Sequence, residues 1–244
     1  MRWLVGDLQG CAEPFERLLR QIRFDPHCDE LWCLGDLVNR GPDSAAAVRL
    51  WNDIGGHGIL GNHDVYALLV NSGTRQRKPD TLDDLFAAKD REKLIEKLRG
   101  LPVIVHLPAP VDTAEDIWIV HAGLLPGWTD LEQLSSVLND ASHDDAWLQS
   151  GRVSAATRVR CCTENGELSR ETGPPEACEE GFLPWDAFYR GGTLVVHGHW
   201  AQRGYYRGER TMGLDSGCVY GGPLTAWCQD EDRIVQVPGN RAAG

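Results

Sequence analysis

MRWLVGDLQG, residues 1–10, sets how the rest of the chain is read. Trp3-Leu4-Val5 is a short apolar run that delivers Gly6 and Asp7 straight into a second glycine, Gly10. A carboxylate at the open end of a buried strand, set between glycines, is the pattern of a metal or phosphate site. The pattern recurs in LWCLGD (31–36), GILGNHD (58–64), IWIVHAG (117–123), LVVHGHW (194–200) and MGLDSG (212–217). Each is an apolar run that closes on glycine and an Asp, Asn or His. Continuous apolar runs describe strands buried on both faces, and α/β sheets place their chemistry in the loops beyond the strand ends. An α/β fold is expected.

Helices fit between these runs. Phe15, Leu18, Leu19 and Ile22 have helical spacing after a start at Glu13-Pro14, and Asp43-Ser44 reads as the cap of a helix carrying Val48 and Trp51. Thr81 to Leu98 is charged and periodic and reads as a helix lying on the surface. LTAWCQDEDRIVQV (224–237) reads as a terminal hairpin. No repeat, low-complexity tract or linker divides the sequence. Residues 1–244 are therefore expected to form one domain, with helical insertions near 66–100 and 125–190.

Composition narrows the function. The 244 residues are 42% hydrophobic and 25% charged, ordinary for a soluble chain and long enough to bury a real core. No stretch has the apolar length of a bilayer span, and Asp7 stands too early to follow a removable signal peptide, so a cytoplasmic protein is expected. The net charge of −12 argues against general nucleic-acid or membrane-surface binding. A polyanionic substrate would need local cations. The eight cysteines show no CxxC spacing, and we read them as buried free thiols in preference to a partial zinc site at Cys161, Cys162 and Cys178.

Taken singly, an Asp or His after a strand is usually a turn residue. Asp7, Asp36, Asn62, His63, His121 and His199 form a set, because loops from neighbouring strands converge. Carboxylates, an amide and imidazoles around one point are costly without cations. With divalent metals they become a coordination set of oxygen and nitrogen donors, suited to Mn²⁺, Fe, Co²⁺ or Zn²⁺. His197 falls on the same side of its strand as His199 and is a possible partner behind it. His27, His57, His106 and His143 lie outside the pattern.

GDLQG, GDLVNRG, GNHD, the histidine of IVHAG and GHW, taken in order, resemble the calcineurin-like metallophosphoesterases, from residue 6 to about residue 225. The resemblance implies a four-layer αββα sandwich of two mixed β-sheets, with two divalent metals at the strand ends. By that likeness Asp7, Gln9 and Asp36 would hold the first metal. Asp36 would bridge to a second, held by Asn62, His121 and His199. A hydroxide between the metals would attack in line. His63 would be the catalytic imidazole, and Arg40 a two-pronged phosphate clamp.

Two positions depart from the pattern. Gln9 stands where the motif has histidine, and its neutral amide predicts a looser first site. Mn²⁺ or Co²⁺ is then favoured, with Mg²⁺, Fe and Zn²⁺ as further choices. Asn39 stands where the related serine/threonine phosphatases carry the aspartate that pairs with the catalytic histidine. An amide orients an imidazole without stabilising its protonated form. A serine alkoxide needs a strong acid to leave, whereas a terminal nucleotide phosphate, with a second pKa of roughly 6, does not. Asn39 therefore points to a phosphoanhydride.

The stretches HAGLLPGW (121–128), TRVRCC (157–162) and GHWAQRGYYRGERTMGLDSGCVYGGPLTAW (198–227) resemble the bacterial symmetrical bis(5′-nucleosyl)-tetraphosphatases. That branch cleaves diadenosine tetraphosphate to two ADP, and some members act on nucleoside-tetraphosphate caps of RNA. The implied substrate contacts are Asn39, Arg40, Arg158 and Arg160 on phosphates, with Trp200 and Tyr220 beside a base or ribose. A protein phosphatase of the related branch and a non-catalytic nucleotide sensor are the competing readings.

Overall fold

The computed structural model describes residues 1–112, 114–139 and 143–240. Strand β1 (Arg2–Val5) runs parallel to β2 (Glu30–Cys33), and β2 parallel to β3 (His57–Gly58). On its other side β1 pairs antiparallel with β11 (Leu224–Cys228), which forms the expected hairpin with β12 (Arg233–Val237). These make one mixed sheet of order β12-β11-β1-β2-β3. The second mixed sheet has the order β4-β5-β8-β10-β9. Its middle strands β5 (Ile117–Val120), β8 (Leu194–His197) and β10 (Thr211–Gly213) are parallel. Its edges β4 (Ile104–Leu107) and β9 (Tyr206–Arg207) are antiparallel to their neighbours. The α/β fold expected from the apolar runs is the observed one, with the two mixed sheets that the resemblance implies.

The apolar runs are unbroken because each strand has a buried layer on both faces. Leu4, Ile117, Ile119, Val196, Met212 and Trp227 pack in one cluster between the sheets. The alternate residues Trp3, Val5, Trp118, Val120 and Val195 pack in the cluster that includes the helices. Leu4 has no exposed surface. Leu4→Ala is expected to lower unfolding free energy by about 2–5 kcal/mol, the usual cost of emptying such a site, without shifting the metal-dependence of activity. Urea unfolding of the two proteins checks this.

Helix α1 (Ala12–Ile22) buries Phe15 and Leu18 against β11 and β12; Pro14 sits in its first turn, where a missing N–H is harmless. Helix α2 (Ser44–Asp53) follows Asp43 as expected, but Asp43 makes no capping bond through its side chain. Asp84 accepts from Ala45 N instead (2.7 Å). The α3 helix (Asn62–Asn71) begins within the GNHD motif.

Thr81–Leu98 is two helices, α4 (Asp83–Phe86) and α5 (Arg91–Arg99), and neither merely lies on the surface. Leu82, Leu85, Leu94, Ile95 and Leu98 are buried. From Leu85 to Leu94 is about 2.5 turns of helix, so one continuous helix would point the two apolar groups in opposite directions. The break at Ala87–Asp90 lets both face inward. Residues 125–190 contain α6 (Leu131–Asn139), α7 (Asp145–Leu148), α8 (Gly151–Arg158) and the small ribbon of β6 (Cys161–Cys162) with β7 (Leu183–Pro184). Cys161 is disulfide-bonded to Cys178, which corrects the reading of every cysteine as a buried free thiol; Cys28 is exposed as well.

Candidate metal centre

Parallel strands end on the same side, so β1, β2, β3, β5, β8 and β10 hand their following loops to one rim. Those loops carry Asp7, Asp36, Asn62, His121, His199 and Asp215. Glycines let them converge. A side-chain carbon at Gly198 would strike the Asp7 carboxylate, and one at Gly61 the Asp36 carboxylate. Gly35, at φ +91°, leaves 2.7 Å between such a carbon and His121 Nδ1. The ligand loops are also held in left-handed backbone conformations: Gln9, Asp36, Asn39, Arg40 and His199 all have positive φ. Strain of this kind, at about 1–3 kcal/mol per residue, is concentrated at this site.

Asp36 is the hub. Its Oδ1 accepts from His63 N (2.7 Å), its Oδ2 accepts from Gln9 Nε2 (3.3 Å), and Oδ2 lies 3.4 Å from His121 Nε2. Burial opposes its charge, but His121 and His63 outweigh burial and hold its pKa well below the carboxylate range. His121 Nδ1 points at the Leu34 carbonyl (2.7 Å), which places the proton there and frees Nε2 for a ligand. His199 is the mirror case. Its Nε2 faces the Arg158 carbonyl (3.1 Å), leaving Nδ1 free; burial, then Arg160, keeps the ring neutral.

The donor set fits a cation. Ligand atoms of Asp36, His121 and His199 lie within 4.8 Å of one another. Asp7 is buried, its Oδ1 accepts from His199 N (3.0 Å), and its Oδ2 receives no hydrogen bond from any N–H or O–H donor among the described residues. The Asn62 amide tells the same story. Turned one way, its nitrogen donates to the Thr157 carbonyl (3.1 Å) and His199 Nδ1 (2.7 Å). Turned the other way, its oxygen faces those same two acceptors, which is the arrangement a cation requires.

His63 is oriented from behind. Asn39 Oδ1 accepts from Arg40 N (2.8 Å) and Thr81 N (3.3 Å), so its nitrogen is the end that donates to His63 Nδ1 (2.9 Å). The ring proton is thereby placed on Nε2, which lies 4.0 Å from Asp36 Oδ2. Burial lowers the His63 pKa, although Asp36 works the other way.

A cavity of about 690 Å³ opens over this centre, lined by Gln9, Asp36, Asn39, Asn62, His63, His199 and Tyr220. Arg40, Arg158 and Arg160 line it, and Arg75, Lys78 and Arg170 join them. Trp200 stands apart from that wall. It is buried, its Nε1 donates to the Gly173 carbonyl (2.8 Å), and Arg203 stacks on its ring. His197 lies behind the centre, with Nδ1 on the Gly198 carbonyl and burial pushing its pKa down to about 4.

Sequence reasoning left out five contributors: Arg75, Lys78, Arg170, Asp64 and Asp215. Arg75 and Lys78 stand in the basic run RQRK, unusual in so acidic a chain, and that run was the available signal. Asp64 accepts from Leu37 N (2.9 Å) and Gly61 N (3.0 Å) and so ties the second ligand loop to the third. Burial raises its pKa to about 7. Asp215 follows the apolar start of MGLDSG and has the same strand-end pattern as Asp7 and Asp36, which was its signal.

Two mixed sheets with carboxylates and imidazoles at the parallel strand ends define a metal-dependent phosphoesterase centre. The family model described as calcineurin-like phosphoesterase matches residues 2–203, and the chain belongs to that family. A protein of Thioalkalivibrio sulfidiphilus named bis(5′-nucleosyl)-tetraphosphatase, symmetrical, is 37% identical, over 91% of this chain and 93% of its own. One from Acidovorax sp. with the same name is 39% identical over 92% and 90%. A crystal structure described as a candidate diadenosine tetraphosphatase superposes with a TM-score of 0.72 at 31% identity, covering 99% of this chain and 94% of that one. A Saccharomyces cerevisiae serine/threonine phosphatase shares the fold, with a TM-score of 0.62 at 12% identity over 100% and 80%.

Proposed function

We propose that this chain hydrolyses diadenosine tetraphosphate symmetrically, giving two ADP. The observation that carries the reading is the collection of Arg40, Arg75, Lys78, Arg158, Arg160 and Arg170 around one metal-competent cavity. A bridging tetraphosphate carries about four negative charges, roughly twice the charge of a phosphoserine. In a chain of net charge −12, six cations in one wall are a local field that a polyphosphate would seek. The names of the relatives fit the same substrate class. Nucleoside-tetraphosphate-capped RNA offers the same anhydride chain and is a further substrate by this logic. No described helix is long and apolar enough to cross a membrane. A cytoplasmic location belongs to this proposal on separate grounds, as the compartment in which free dinucleotides and RNA 5′ ends are met.

Two divalent ions, Mn²⁺ or Co²⁺ by preference, would be held by Asp7, Gln9 and Asp36, and by Asp36, Asn62, His121 and His199. When bound there, such ions acidify water and neutralise charge on phosphoryl oxygens. The protein's own groups do the rest. Arg40 grips the phosphate under attack, while Arg158 and Arg160 hold the distal phosphates. His63 donates an Nε2–H hydrogen bond to the leaving oxygen and keeps its proton, since a terminal nucleotide phosphate leaves without one.

Asn39 sets the leaving-group preference, because an amide N–H facing His63 Nδ1 disfavours a second proton on that ring. Asn39→Asp is expected to raise turnover of a phosphoserine peptide relative to diadenosine tetraphosphate by about tenfold or more, part of the roughly hundredfold or greater effect of a full general acid. Comparing kcat/KM for the two substrates tests this. An unmodified protein that turns over the peptide as fast as the dinucleotide would contradict the proposed substrate.

A further inference from the structure

We infer that Asp215 is a metal ligand of the first site, working beside Asp7 and Asp36 where Gln9 offers only a neutral donor. The inference rests on the metal-centre reading above. Strand β10 lies parallel to β8, so the loop after β10 emerges next to the loop that carries His199. Gly6 brings β1 against the same place, since a side-chain carbon there would strike the Leu214 carbonyl. Asp215 is thus wedged beside Asp7. The two carboxyl groups are within hydrogen-bonding reach of each other, and both are buried, at 3% and 5% exposure.

Their partners do not account for them. Asp7 Oδ1 accepts from His199 N, and Asp215 Oδ1 accepts from Gly217 N (2.9 Å). Asp7 Oδ2 is buried and receives no hydrogen bond from any N–H or O–H donor among the described residues. Neither carboxylate forms an ion pair with an Arg, Lys or His among the described residues. Arg160 acts on both from farther away, and its guanidinium instead donates to the His199 carbonyl (3.3 Å). Two touching carboxylates without a donor between them repel unless a proton or a cation joins them. Asp215 also lines the cavity, so an ion entering there meets its carboxylate. Gln9 Nε2 donates to Asp36 Oδ2 and so steadies a ligand. Three carboxylates around the first ion make a hard oxygen set, favouring Mn²⁺ or Mg²⁺ over Zn²⁺.

The test is isothermal titration of the metal-stripped full chain with Mn²⁺, comparing wild type, Asp215→Asn and Gln9→Ala. Circular dichroism of each apo-protein controls for folding. The wild type is expected to bind two equivalents. In Asp215→Asn one equivalent should weaken by tenfold or more while the other stays within about twofold, and Gln9→Ala should weaken the same equivalent less. Should Asp215→Asn fail to fold, Asp215→Ser supplies the same comparison. Two equivalents with wild-type affinities in the Asp215 variant would overturn the assignment of Asp215 alone. Fewer than two equivalents in the wild type would overturn the dinuclear centre, and Asp215 with it.

Discussion

Asp36→Asn is expected to lower turnover of diadenosine tetraphosphate about a thousandfold or more while leaving the apo-protein folded. The variant keeps the shape and the Oδ1 that accepts from His63 N. It loses the charge that faces His121 Nε2 at 3.4 Å, and with it the donor both metal sites would share. Removing a single preorganised donor typically costs a hundred- to a thousandfold, and a shared charged ligand belongs at the top of that range. Apo stability should fall modestly as well, because His121 and His63 favour the Asp36 carboxylate by more than burial opposes it, and an amide forfeits that interaction. Apo-Asp36→Asn should therefore melt somewhat below apo wild type, and a separate loss should appear only with metal. What it should lose is stabilisation by Mn²⁺, which at a hundredfold excess over Kd is worth about 2.7 kcal/mol per site. Steady-state kinetics and thermal melts with and without Mn²⁺ separate these effects.

The second large effect is expected at Gly35, which has no side chain to offer a substrate. Its φ of +91° is one that side-chain-bearing residues rarely adopt, and an added carbon would lie 2.7 Å from His121 Nδ1 and 2.8 Å from Gly61 N. Neither neighbour is a flexible side-chain end. The ring is fixed by its bond to Leu34, and the Gly61 backbone by Asp64. Overpacking and left-handed strain each contribute about 1–3 kcal/mol, so Gly35→Ala should lose roughly 3–5 kcal/mol. For a chain of this size that is a fall in Tm of about 10 °C. Turnover should fall with it even at temperatures where the variant is folded, since His121 must move.

The site was legible where the chain repeats one local solution. An apolar run, a glycine and a polar residue mark the strand, the close approach and a candidate ligand together, and Asp7, Asp36, Asn62, His121 and His199 all follow that pattern. It failed where information is carried between segments. Nothing local to Cys161 or Cys178 announces their bond, because the β6–β7 ribbon brings the chain back between them. Strand β4 was missed because Ile104–Leu107 is short and carries the half-buried His106, on the sheet's edge. The Thr81–Leu98 helix was over-read by counting apolar residues without following their phase. Trp200 follows His199 in sequence and so reads as a substrate contact, yet its ring is buried and its Nε1 donates to the Gly173 carbonyl. Arg75 and Lys78 reach the cavity only because α3 carries their segment across it.

The most direct test of the central claim is product analysis. The metal-stripped chain would be given Mn²⁺, Co²⁺, Mg²⁺ or Zn²⁺ separately, supplied with diadenosine tetraphosphate, and its nucleotides separated. ADP as the sole product, with Mn²⁺ or Co²⁺ the better activators, is the predicted result. ATP together with AMP, or bound dinucleotide without turnover under every metal, would contradict it.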